Sequence, residues 1–178
     1  MAKITLHISI RGTPQSILGF HILDRADVVP PACVRRFARV EGNVTIRGSA
    51  IVSDRARVFG QAVVDGDAII SSNAQVYDQA RVWENASVTG CSRVYGTAQV
   101  RGQANVRGYA QVYDQAQIEG DTQVCDQAQV YGYAIVTGNA VVKGNARISG
   151  YAVILGGTWD GSEGEIAEGT WKGPRVRA

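Results

Sequence analysis

Along most of this chain, small and branched apolar residues return at a fixed beat. Read from Ala56 it runs Ala-Arg-Val-Phe-Gly-Gln, then Ala62-Val-Val-Asp-Gly-Asp, then Ala68-Ile-Ile-Ser-Ser-Asn. The phrase keeps register from Phe20 to Gly157, and its starting positions step by six from Phe20 to Ala152, making 23 hexads. The third residue is Val or Ile in all of them, and from Ala26 onward the first is Ala except at Val44, Ser92 and Thr122. Successive side chains of an extended segment point to opposite sides, so the first and third residues fall inward and the second and fourth outward. The fifth is usually Gly and sometimes Asp, as at Asp54, Asp78, Asp114 and Asp126, residue types suited to a tight, left-handed corner.

A longer period counts the sides. Phe59, Tyr77, Tyr95, Tyr113 and Tyr131 are all fourth residues and recur every 18, so a three-sided coil stacks them one above another. Units that cannot bury a face alone and repeat without interruption predict a solenoid. The fold class expected is all-β, a three-sided parallel β-helix of seven to eight coils. With coils about 4.8 Å apart it forms a rod of roughly 37 Å.

The Ala-Xaa-Val-Xaa-Gly-Asn phrasing, as in Gly144-Asn145-Ala146-Arg147-Ile148, resembles the bacterial hexapeptide-repeat superfamily over Phe20 to Gly157. The resemblance implies a left-handed parallel β-helix, a hand that general crossover rules would not have favoured. It is weak for function, because that superfamily holds acyltransferases, γ-class carbonic anhydrases and non-catalytic members.

The two ends depart from the phrase. Lys3 to Ile10 alternate, with Ile4, Leu6, Ile8 and Ile10 on one side, which predicts a half-buried strand. Outward residues are apolar near the start of the repeat (Leu23, Val29, Ile51, Val63, Ile69) and near its end (Ile135, Val141, Val153, Leu155). Residues 1–19 are therefore expected to fold over the first group, and residues 158–178 over the second; an oligomer interface is the rival explanation. After Gly157, Thr158-Trp-Asp-Gly161 and Thr170-Trp-Lys-Gly173 put Asp160 and Lys172 where an inward Val is required. The rod is expected to stop there, with Trp159 and Trp171 as anchors of a terminal cap or contacts for a partner. The three regions are thus 1–19, 20–157 and 158–178.

Composition narrows the function classes. A formal net charge of +2 argues against strong attraction to nucleic acid or a membrane surface. No apolar run spans a bilayer and the start lacks the form of a signal peptide, so the expected location is cytoplasmic. Cys33, Cys91 and Cys125 share no column of the coil and read as reduced thiols.

Each enzymatic expectation raised by the resemblance meets missing residues. The acyltransferases resemble one another in placing a general-base His on a coil beside an extruded loop. Here the histidines are His7 and His21, and no hexad carries an insertion; His21 reads as a surface residue. Two histidines cannot supply the three ligands of a γ-class carbonic anhydrase. Asp78 and Asp114 lie two coils apart with Gly96 between them, too far for one calcium ion. Thr45, Thr89 and Thr137 form no ladder of the ice-binding kind. Cys125 reads as an outward, unreactive thiol. No metal and no cofactor are expected.

The aromatic column remains. On the same side, two residues before each aromatic position, stand Arg39, Arg57, Gln75, Arg93, Gln111, Gln129 and Arg147. Such a ladder stabilises adjacent strands, and Tyr and Arg also concentrate energy in protein interfaces. The expectation is a non-catalytic, rigid binding or assembly module. Its candidate face comprises Arg57, Phe59, Tyr77, Arg93, Tyr95, Tyr113 and Tyr131. The partner is a protein or a further copy, as a dimer or trimer, which the rod tethers or inhibits by obstruction. An acyl-CoA-dependent acyltransferase and a rod that binds single-stranded nucleic acid are the alternatives.

Overall fold

In a computed structural model, the structure describes residues 21–23 and 25–173. The strand and cover expected within residues 1–19, His7, the side chain of His21 and the tail from Pro174 lie outside the described residues. The chain winds as a three-sided parallel β-solenoid of about eight turns, and among the described residues no helix interrupts it. Every third strand pairs, which gives three parallel sheets of nine, nine and eight strands. They are called A, B and C here, beginning at His21–Leu23, Asp27–Val28 and Cys33–Val34. Register is set by the period of 18: Gln75 lies beside Arg93 and Val76 beside Val94.

The hexad accounts for the backbone as well as for the core. Its second, fourth and sixth N–H groups donate to the next coil, as Gln99 does to Ala116 O (2.9 Å), Arg101 to Ile118 O (2.9 Å) and Gln103 to Gly120 O (3.0 Å). First and third residues fill the interior, and most, including Val58, Val76, Val94 and Val112, have no solvent exposure. Each buried Val contributes about 1.5–3 kcal/mol. From Arg36 to Gly150 the fifth residue adopts positive φ, 57° at Asp114 and 74° at Gly120. A Cβ on Gly120 would stand 2.7 Å from the Gly138 carbonyl oxygen, so that corner also needs glycine for the close approach of the next coil. Asp accepts the same backbone because its carboxylate is useful there: Asp78, Asp114 and Asp126 take hydrogen bonds from the N–H groups of Gly96, Gly132 and Gly144 at 3.2, 3.2 and 3.0 Å.

The rod does not stop at Gly157. Thr158 pairs with Val141 and Trp159 with Val142, a step of 17 instead of 18, and Thr170 pairs with Val153 in the same manner. One residue has been lost from the hexad, so Trp159 and Trp171 occupy the inward third place and Asp160 is exposed. The intervening strand Glu165–Ile166 returns to a step of 18 against Arg147–Ile148. Trp159 is fully buried, donates its indole N–H to Gly156 O (2.9 Å) and meets Trp171 edge to face at 5.8 Å. The expected fold-back over Val141 and Val153 is therefore replaced, through residue 173, by one further coil plugged with indole rings.

Candidate interaction face

The 18-residue period brings Phe59, Tyr77, Tyr95, Tyr113 and Tyr131 into one column at the edge of sheet A. Neighbouring ring centroids are 4.7, 4.9, 5.0 and 4.9 Å apart, and their planes lie within 4° of parallel. That spacing is the coil rise itself. Ring faces are turned toward one another, and the half-buried column shows solvent its ring edges and hydroxyls. It is therefore no flat platform of exposed faces on which a base could stack.

Three of the four hydroxyls are tied to the second-residue column of the coils beyond them. Tyr95 and Tyr113 donate to the side-chain oxygens of Gln111 and Gln129, each at 3.4 Å. At the C-terminal end Tyr131 donates to Glu165 (2.5 Å) and accepts from Arg147 (2.9 Å), while Ser149 donates to the same Glu165 oxygen (2.5 Å). Those hydrogen bonds from Ser149 and Tyr131 hold the Glu165 carboxyl below its ordinary range, and the bond to Tyr131 raises the Arg147 pKa. Burial, reinforced by Tyr77, Tyr113 and Asp114, pushes the Tyr95 phenol up to about 12. Burial raises Tyr77 and Tyr113 in the same direction.

Arg57 packs its guanidinium 5.3 Å from the Phe59 centroid and lies 3.9 Å from Glu41. Arg93 is exposed two coils above Arg57. The face thus brings together the seven residues singled out from the sequence. Trp159 and Trp171 are not on it; they close the interior at the end of the rod.

Cys125, expected to point into solvent, is only 4 % exposed, and burial followed by the charge of Asp126 raises its thiol pKa. All three cysteines are free.

Residues 128–144 are similar to the YdcK β-solenoid repeat. No match was found among curated proteins or among solved structures. The matched stretch covers 17 residues of the Gln129–Val130, Ile135–Val136 and Val141–Val142 turns, so the similarity concerns the repeat and carries no activity with it.

Sequence reasoning passed over the sixth-residue column that borders sheet A at the corner with sheet C. Phe37 and Tyr109 stand there, 66 % and 67 % exposed, the ring of each free of the ladder. Arg55 shares that column and lines one open cleft with Phe37, Arg39 and Arg57. Stepping by 18 from Arg55 gives the whole column, so the signal was present in the same period that found the tyrosines.

Proposed function

We propose that this chain is a non-catalytic rod of the hexapeptide-repeat kind, with the left-handed coil that resemblance implies, and that sheet A is its recognition surface for a protein partner or a second copy. The observation that carries the reading is the ladder from Phe59 to Tyr131, held by stacking and by hydrogen bonds to Gln111 and Gln129. A surface fixed in this way loses little conformational entropy on binding. Its exposed ring edges, hydroxyls and guanidiniums are the groups found at interface anchors. Strand register is regular among the described residues up to the last coil, with no extruded loop of the kind that encloses an acyl donor. Such a rod tethers its partner or obstructs it.

Tyr95→Phe/Tyr113→Phe keeps the stack and removes two central hydroxyls. Full-length protein carrying this pair should fold with an unchanged circular dichroism spectrum and lose the partner retrieved by the unaltered chain, or lose its self-association in sedimentation velocity. Undiminished association would remove the ladder from the recognition surface. Saturable binding or turnover of an acyl-CoA would replace the reading with an acyltransferase.

A further inference from the structure

From Phe37 to Arg147 the border column and the second-residue column of sheet A contain five arginines, Arg39, Arg55, Arg57, Arg93 and Arg147, and no carboxylate. For a chain whose formal net charge is only +2, this is a concentrated cationic strip. Within these two columns carboxylates enter only beyond Arg147, at Glu163 and Glu165; Glu41, in the neighbouring fourth-residue column, lies 3.9 Å from Arg57, and Glu165 lies 4.0 Å from Arg147. Arg39, Arg55 and Arg93 take part in no ion pair among the described residues, whereas Arg47 and Arg101 on sheet B are paired with Asp65 and Glu119.

The strip also repeats itself. Phe37 with Arg39, Arg55 and Arg57 lines one cleft, and Tyr109 with Gln111, Gln127, Gln129, Asn145 and Arg147 lines another that runs one coil further. The two have the same build, an exposed ring at the sixth place followed by second- and sixth-residue side chains. They are 72 residues apart, which is four coils or roughly 19 Å along the rod.

We infer that the strip binds an extended acidic polypeptide segment whose apolar side chains, six residues apart, lodge against Phe37 and Tyr109. Six residues of extended chain reach about 20 Å, and an even separation keeps both apolar side chains on one side. Guanidiniums pair with carboxylates in a bidentate manner, and the Gln side chains between them supply donors and acceptors for a peptide backbone. Single-stranded nucleic acid fits less well. It carries a charge at every nucleotide, whereas the arginines of sheet A recur at irregular intervals of one, two and three coils. The ladder, moreover, offers no ring faces for bases. This inference rests on sheet A being the recognition surface.

The test is fluorescence anisotropy of the full-length protein with a labelled dodecapeptide of glutamates bearing leucines at its second and eighth residues. Saturable binding is expected, weakened by added salt and reduced on the order of tenfold by Arg55→Ser/Arg57→Ser and by replacing both leucines with serine. Circular dichroism of the variant should be unchanged. Tighter binding of dodecathymidylate than of the peptide overturns the inference in favour of nucleic acid, and absence of peptide binding overturns it outright. If the peptide fails while Tyr95→Phe/Tyr113→Phe still abolishes partner retrieval, the strip is wrong and the face stands; if both fail, the face falls too.

Discussion

Replacing Trp159 with Ala empties the cross-section of the last coil. The indole is fully buried, donates to Gly156 O and meets Trp171 edge to face. Large aromatic-to-alanine substitutions in a core cost about 3–5 kcal/mol, and the aromatic pair accounts for about 0.5–1.5 kcal/mol of that. In a solenoid each coil leans on its neighbours, so the loss stays near the end. The amides that report it donate to carbonyls of the last coil: Lys143 to Trp159, Ser149 to Ile166 and Leu155 to Trp171, at 2.8, 2.8 and 2.7 Å. Hydrogen exchange at these three should accelerate by about two orders of magnitude or more, while Tyr95, whose N–H donates to Val112, keeps its protection. The neighbouring substitution Asp160→Ala alters an exposed side chain and should leave all four amides unchanged. Acceleration by Asp160→Ala and none by Trp159→Ala would show that the inward phase of the last coil has been assigned to the wrong residues.

Three further predictions concern the coil and the ladder. Thr122 replaces an inward Ala and its Oγ1 is buried without a hydrogen-bond partner, so Thr122→Val should stabilise the protein by about 1 kcal/mol in urea unfolding; destabilisation would mean that the hydroxyl is satisfied. Gly120→Ala should cost about 1–2 kcal/mol or more from left-handed strain and contact with Gly138 O at 2.7 Å, and an unchanged midpoint would contradict the corner geometry. The Tyr95 phenol, about 12 folded against an ordinary 10.0, keeps its proton where the unfolded chain loses it. Its contribution to stability is thus fully present below pH 10 and fades between about pH 10 and 12. Tyr95→Phe should flatten that alkaline decline, and an equally steep decline would show that Tyr95 is not its source.

Much of the fold could be read from the sequence because one period did several jobs. Val or Ile at the third place of each hexad set the interior, Gly or Asp at the fifth set the corner, and the 18-residue recurrence of Tyr77, Tyr95 and Tyr113 set the number of sides. The last coil escaped because its register is kept by compensating steps of 17 and 18 residues. The loss of one residue before Thr158 moved tryptophan into the place a strict hexad gives to Asp160. Ring orientation escaped as well, since spacing along the chain locates a Tyr but leaves its χ angles open. That detail decides whether the column offers faces or edges. Arg55 and Phe37 were missed for a simpler reason: the same period locates them, but they stand at the corner place of the hexad, and only the outward places of the strands were read as a face.

The claim that recognition belongs to sheet A is tested most directly by two variants of equal charge compared in partner retrieval. One, Arg55→Ser/Arg57→Ser/Arg93→Ser, strips arginines from sheet A and its border; the other, Arg47→Ser/Arg81→Ser/Arg101→Ser, strips the same number from sheet B. The first should lose the retrieved protein and the second should retain it in full. Equal loss from both, or loss from the second alone, would contradict a recognition surface on sheet A.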